Sequence, residues 1–169
     1  FYFYNREKIK IFTNKETSSF LLKRFNYLFN KSETSQSYFQ PPLELHEIDY
    51  FEEITINDIK INAIKQNHGV IDTLGFIFND VFAYCTDVVG FPKKSFEYLR
   101  KMKVLIITGL RQTPHMAHAH FDLSFEWIAK LNPDVAYLTH LSPESDHDVV
   151  TKLCPPNTYP AYDGLVIDI

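Results

Sequence analysis

Apolar positions along the chain follow two spacings, and the change from one to the other outlines the fold. Residues 8–13 (KIKIFT) alternate with a period of two and predict a strand. Asn14 then suits an N-cap, and Phe20, Leu21, Arg24, Phe25 and Leu28 recur at helical spacing over residues 15–29. The polar, breaker-rich stretch 30–42 (NKSETSQSYFQPP) predicts a loop. From Leu43 the texture becomes short strands. LELHEI comes first, then ITINDIKINAIKQ, with a hairpin turn at Asn57-Asp58 and with Ile59, Ile61 and Ala63 alternating with polar residues. TLGFIFN and VFAYCTD make a second hairpin about Asn79-Asp80.

The second half alternates strands with helices. Residues 92–100 predict a short helix with Pro92 near its first turn. VLIITG (104–109) and DVAYLTH (134–140) are continuous apolar runs, as strands buried on both faces would be. Between them, residues 122–131 place Leu123, Trp127 and Leu131 on one helical face. A short helix over 144–152 and a closing strand GLVIDI (164–169) complete the pattern. Hairpins followed by strand–helix alternation predict an α/β sandwich rather than a doubly wound sheet. Too little chain precedes the 30–42 loop to make a separate domain, so a single domain over 1–169 is expected. The sequence contains no repeat, Gly-rich phosphate loop or heptad pattern.

Composition changes this picture little. With 45% hydrophobic and 22% charged residues the chain has the material for one core. Seventeen Lys and Arg against 21 Asp and Glu leave a formal charge of -4, which argues against stable nucleic-acid binding. Cys85 and Cys154 are too few for a disulfide scaffold, so a reduced, cytoplasmic setting is expected. No run approaches the ~18 apolar residues of a membrane span. The sequence opens on Phe1 rather than Met, with no signal-peptide pattern, and is expected to be part of a longer translated chain.

Three polar residues share a placement. His68 follows one predicted strand, and Asp87 and His140 end two others. A sheet gathers its strand ends along one edge, and imidazole plus carboxylate is the ligand set of a hydrolytic Zn, Mn or Fe site. Each residue also has a structural alternative. Asp87 suits a cap of the turn before Gly90, His140 a donor to a backbone carbonyl, and His68 a polar turn before Gly69.

The stretch GLRQTPHMAHAHFDLSFEW adds His115, His118 and His120 just before a predicted helix. An imidazole near a phosphate can protonate a leaving oxygen, and Arg111 and the helix N-terminus favour an anion too. The alternative is a solvated loop whose histidines have no task, His115 first among them. Asp122 suits an N-cap.

Taken in order, NHG, GFIF, FAYCTDV, LRQTPHMAHAHFDLSFEWI, AYLTHLS…DH and PAYDGLVIDI resemble the later motifs of the metallo-β-lactamase fold hydrolases. The branch most resembled holds the cyclic-phosphate phosphodiesterase of phosphonate breakdown, itself akin to the tRNA 3′-processing endonucleases. The resemblance runs from Lys8 to Ile169. It implies a partial αββα sandwich of mixed sheets flanked by helices. It also implies that His68, Asp87 and His140 are metal ligands, Asp87 bridging two ions, with Zn or Mn as the cofactor. His120 takes the place of the histidine that contacts the scissile phosphate and assists catalysis. His118 and Arg111 are assigned to substrate binding, and His118 is the second choice for the catalytic role. Pro143 stands where relatives carry a further histidine, so Ser142, Asp146 and His147 receive no substrate role. Asp163 and Gly164 fit the closing motif, as structural residues.

The chain departs from the pattern in lacking the His-x-His-x-Asp-His segment, so the resemblance is to the C-terminal two-thirds of an enzyme, and a domain truncated at its N-terminus is expected. Two functions follow. One is a metal-dependent hydrolase, phosphodiesterase-like, acting on a phosphodiester when the site is complete. The other is an inactive fragment or split-gene remnant that needs a complementing N-terminal polypeptide. With two of these ligands left per ion, against three in a catalytic zinc site, weak or absent metal binding is expected of this chain alone.

Overall fold

The computed structural model describes residues 7–31, 40–100 and 102–169, which divide into two compact units, Phe1–Tyr50 and Phe51–Ile169. Of the expected 30–42 loop, residues 32–39 lie outside the described residues.

In the first unit β1 (Ile9–Thr13) pairs in parallel with β2 (Leu43–Glu47), and α1 (Lys15–Phe29) lies between them in sequence. Asn14 caps α1 as expected: its side chain accepts a hydrogen bond from the Thr17 N–H at 2.9 Å. The buried face of the helix differs from the expected one. Phe20 and Phe25 are exposed, while Ser18 and Phe29 are buried. Ser18 turns inward because its hydroxyl donates to Glu47 at 2.6 Å, and Phe25 leaves helical geometry at φ -126°, which breaks the phase of the expected stripe.

The second unit is one seven-stranded sheet whose strands lie side by side in chain order. β3 (Glu53–Ile56), β4 (Ile59–His68), β5 (Ile71–Phe78) and β6 (Phe82–Cys85) form an antiparallel meander. Both hairpin turns fall where the sequence places them. Asn57 and Asp58 (φ 46° and 66°) and Asn79 and Asp80 (φ 50° and 56°) adopt paired left-handed conformations, which match the strand twist and which Asn and Asp tolerate. Along β4 the expected alternation holds only in part, because the middle of the strand is buried on both faces. Ala63 is buried as that alternation expects, but Ile59 is exposed, and Ile64 and Gln66 on the opposite face are fully buried, Gln66 donating to the Thr86 carbonyl in the loop after β6.

From β6 the sheet turns parallel. α2 (Lys93–Leu99) leads to β7 (Val104–Thr108), α3 (Phe121–Leu131) to β8 (Val135–Thr139), and α4 (His147–Leu153) to β9 (Thr158–Pro160). Parallel strands need such crossovers. The core runs between β7, β8 and the helices, through Leu105, Ile107, Leu138, Trp127, Ile128 and Leu131. Trp127 packs its edge against Phe91 with ring centroids 4.9 Å apart.

Two further sequence expectations need correction. α4 begins at His147 rather than Glu144, because Asp146 is its N-cap and accepts from the Val149 N–H at 3.0 Å. GLVIDI is not a strand. β9, the short TYP segment, takes the edge of β8, and beyond it Val166 is 82% and Ile169 67% exposed.

Candidate metal centre

Asp87 and His140 both sit one or two residues past the ends of strands, β6 and β8, in left-handed conformations (φ 56° and 62°). A side chain other than glycine holds that geometry at a cost, and such residues concentrate where a site demands them. Here the turn aims both side chains at one point. His140 Nε2 lies 3.1 Å from Asp87 Oδ1. His68, last residue of β4, places its Nε2 3.8 Å from the same oxygen.

Backbone pairing explains why these segments meet. The Val89 N–H donates to the Asn67 carbonyl and the Asn67 N–H to the Gly90 carbonyl, both at 2.8 Å, which stitches the end of β4 to the loop after β6. The Ala119 N–H donates to the Val88 carbonyl at 2.7 Å and brings the histidine-rich loop to the same segment. His68, Asp87 and His118 are the sequence neighbours of these three anchor points. His118 Nε2 therefore lies 3.3 Å from His68 Nε2, and its Nδ1 3.8 Å from Asp87 Oδ1.

The structure thus brings together the three residues expected to be ligands and sets beside them His118, which was expected to bind substrate. Donor atoms of His68, Asp87 and His118 all lie within 4.8 Å of one another, a spacing that can hold a metal ion. Ligand atoms about 2.0–2.1 Å from a tetrahedral zinc stand about 3.3–3.4 Å apart, so separations of this order fit such an ion. The chemistry fits as well. His118 is the most enclosed of the four, and its Nδ1 is buried with no hydrogen-bond partner among the described residues. Burial lowers the His118 pKa, the positive charges of His140 and His68 lower it further, and Asp87 opposes them. A neutral imidazole is the form that binds a metal.

The other two expected residues, His120 and Arg111, are placed by the start of α3, and the cleft that Arg111 lines includes none of the four cluster residues. His120 is the N-cap residue of α3, extended at φ -86°, and makes no side-chain capping bond among the described residues. Arg111 is held across from that N-terminus, its carbonyl accepting from the Phe121 N–H at 2.9 Å. Its Nε is buried without a partner among the described residues. Arg111 lines a cleft of about 300 Å³ with Phe121, Thr113, Glu144 and Ser145.

Three contributors escape a reading by strand ends. His115, expected to have no task, accepts backbone hydrogen bonds from Ala117 and His118. Gln66, fully buried, donates to the Thr86 carbonyl at 2.8 Å and to Thr73 at 3.3 Å, and Thr73 in turn donates to the Asp87 carbonyl at 2.8 Å. This chain of bonds holds the backbone on which Asp87 is mounted. A glutamine in a strand otherwise read as half-buried is the one signal the sequence carries for it, and that signal names no partner.

Comparison with known proteins bears on the family and the fold. A family model for the beta-lactamase superfamily domain matches residues 3–141. A diphosphatase of the PhnP family superposes with a TM-score of 0.81 at 28% identity, over 94% of this chain and 57% of the other. The chain therefore spans little more than half the length of that relative. Two likenesses show the fold alone. YhfI of Bacillus subtilis, a metallo-beta-lactamase fold protein, gives a TM-score of 0.70 at 12% identity, over 96% of this chain and 66% of that one. The short form of human tRNase Z gives 0.65 at 13%, over 98% and 68%. The mixed sheets and their helices match part of the metallo-β-lactamase αββα architecture. No curated protein matches the chain in sequence.

Proposed function

Because the chain belongs to the beta-lactamase superfamily, we propose that it is a metal-dependent hydrolase of phosphodiesters, working at the cluster around Asp87. The observation that carries this reading is the convergence of His68, His118 and His140 on one carboxylate oxygen, at 3.1–3.8 Å, from three separate chain segments. The phosphodiester class rests on the resemblance of the sequence motifs, with support from the likeness to a PhnP-family diphosphatase at 28% identity. Residues 1–169 act as one domain in this reading, since the family match crosses both compact units.

His68, Asp87 and His140 hold the metal, Zn or Mn and up to two ions, and the geometry favours His118 as a further donor over a contact to substrate. A bound divalent ion supplies Lewis acidity and a water acidic enough to attack near neutral pH. Arg111 and the N-terminal end of α3 bind phosphoryl oxygens. His120, at the mouth of that turn, gives its proton to the leaving oxygen.

A second reading is favoured by one fact. The 169 residues contain no His-x-His-x-Asp-His segment, so the remaining ligands of a complete site would come from polypeptide outside these residues before turnover begins. No helix of the described residues is long and apolar enough to cross a membrane. With a net charge of -4, stable binding to nucleic acid is not expected.

Hydrolysis of bis(p-nitrophenyl) phosphate tests both readings, with Zn²⁺ or Mn²⁺ added and with or without the corresponding segment of a relative. Turnover that Asp87→Ala abolishes supports the hydrolase. Turnover only with the added segment selects the second reading. Turnover that survives Asp87→Ala rejects the site.

A further inference from the structure

We propose that His115 is the positioning residue that presents His118 to the metal-capable cluster, an inference that rests on His118 serving as a donor there. His115 Nδ1 accepts from the Ala117 N–H and from the His118 N–H, each at 3.3 Å. A side-chain acceptor that takes the N–H groups two and three residues ahead is the device by which Asn and Asp close a turn. His Nδ1 and Asn Oδ1 both hang from the γ carbon, so the imidazole of His115 does the work of an Asn. The bond requires the His115 proton on Nε2.

The clamp grips one side of His118, and the other side is held by the ladder. The Ala119 N–H donates to the Val88 carbonyl at 2.7 Å, and the Ala119 carbonyl accepts from Leu110 at 2.9 Å. Packing does little for the turn itself, because Met116 at its tip is 80% exposed. Its backbone rests instead on Gly69, where a Cβ would meet the Met116 carbonyl oxygen at 3.1 Å. Held in this way, the His118 ring stands 4.6 Å from both the His68 and the His140 rings, and the His115 ring lies 5.0 Å behind it. Without the clamp, residues 116–118 lose the bonds that fix their turn, and His118 leaves the cluster.

His115→Ala and His115→Asn in the full chain test this, read by calorimetric Zn²⁺ titration and by amide hydrogen exchange in the metal-free protein. His115→Ala should weaken Zn²⁺ binding about 10-fold or more, the scale of losing a group that orients a ligand. It should also speed exchange at Ala117 and His118. His115→Asn keeps the acceptor and should restore both readouts to within about threefold of the parent. Unchanged affinity in His115→Ala overturns the proposal. Exchange restored by His115→Asn without restored affinity also overturns it, since the imidazole is then itself a ligand. If the parent chain binds no Zn²⁺, the donor reading of His118 fails, and exchange alone decides the clamp: unchanged rates in His115→Ala overturn it and faster rates support it.

Discussion

His140 Nε2 meets Asp87 Oδ1 at 3.1 Å across 53 positions of sequence, and both residues do so from left-handed backbone. Parallel strands β6 and β8 flank β7 in the sheet, so their ends emerge at the same edge. A left-handed turn just past each end brings the two side chains together over that edge. Stability is given up here to aim two side chains.

The trade can be measured. In metal-free protein, His140→Gly should raise stability by roughly 1 kcal/mol, since glycine adopts φ 62° without the cost that a Cβ carries there. Urea unfolding in the presence of a chelator reads this directly. Metal affinity should fall in the same variant. A destabilised His140→Gly would mean that the contact to Asp87 outweighs the backbone cost.

Gly75 should prove equally particular. A Cβ there would stand 2.4 Å from the Gln66 side-chain oxygen, and Gln66 is buried and already hydrogen-bonded to Thr86 and Thr73. Gly75→Ala is expected to cost about 1–3 kcal/mol, as overpacking does. It should also weaken metal binding, because Thr73 carries the disturbance to the Asp87 carbonyl. Thermal melts and Zn²⁺ titration of the same sample would show the two effects together. A loss of stability with unaltered affinity would detach this network from the site.

Acid should weaken the metal-free protein through His118. Its folded pKa lies below the ordinary 6.5, first from burial and then from His140 and His68. The unfolded chain therefore takes up this proton at higher pH than the folded one, and stability rises with pH across that interval. The contribution is whole above about pH 6.5 and is lost as pH falls towards the folded value. Melts recorded between about pH 8 and pH 5 should slope accordingly, and His118→Asn should flatten the slope. An equal slope in the variant would assign the dependence to another group.

His118 and His120 should separate into a metal donor and a proton donor. In protein complemented with the missing ligand segment, His120→Ala is expected to lower kcat for a model phosphodiester about 100-fold, the scale of losing a positioned acid. Its metal content should stay full. His118→Ala should lose metal first, and rate with it. Elemental analysis beside initial rates decides the assignment, and loss of metal in His120→Ala would reverse it.

Elements governed by neighbours along the chain are legible in the amino-acid order alone. The Asn14 cap, the Asn-Asp turns at 57–58 and 79–80, and the runs that form β7 and β8 depend on residues within a few positions of each other. The placement of His68, Asp87 and His140 at strand ends is visible for the same reason: a strand and its terminus are local. Tertiary structure decided what required contact between distant segments. The phase of α1 turned on a bond from Ser18 to Glu47, 29 residues away, and the 164–169 stretch had an apolar pattern but pairs with no strand among the described residues, the place beside β8 being taken by β9. His118 and His120 illustrate the same limit. Two residues apart on a loop, they have no fixed relative direction until other groups hold the backbone. His115 and the Ala119–Val88 bond supply that hold and turn His118 towards Asp87, while His120 ends as the N-cap of α3. Periodicity describes which side chains share a face along one segment, and a site made by four segments meeting has no period to read.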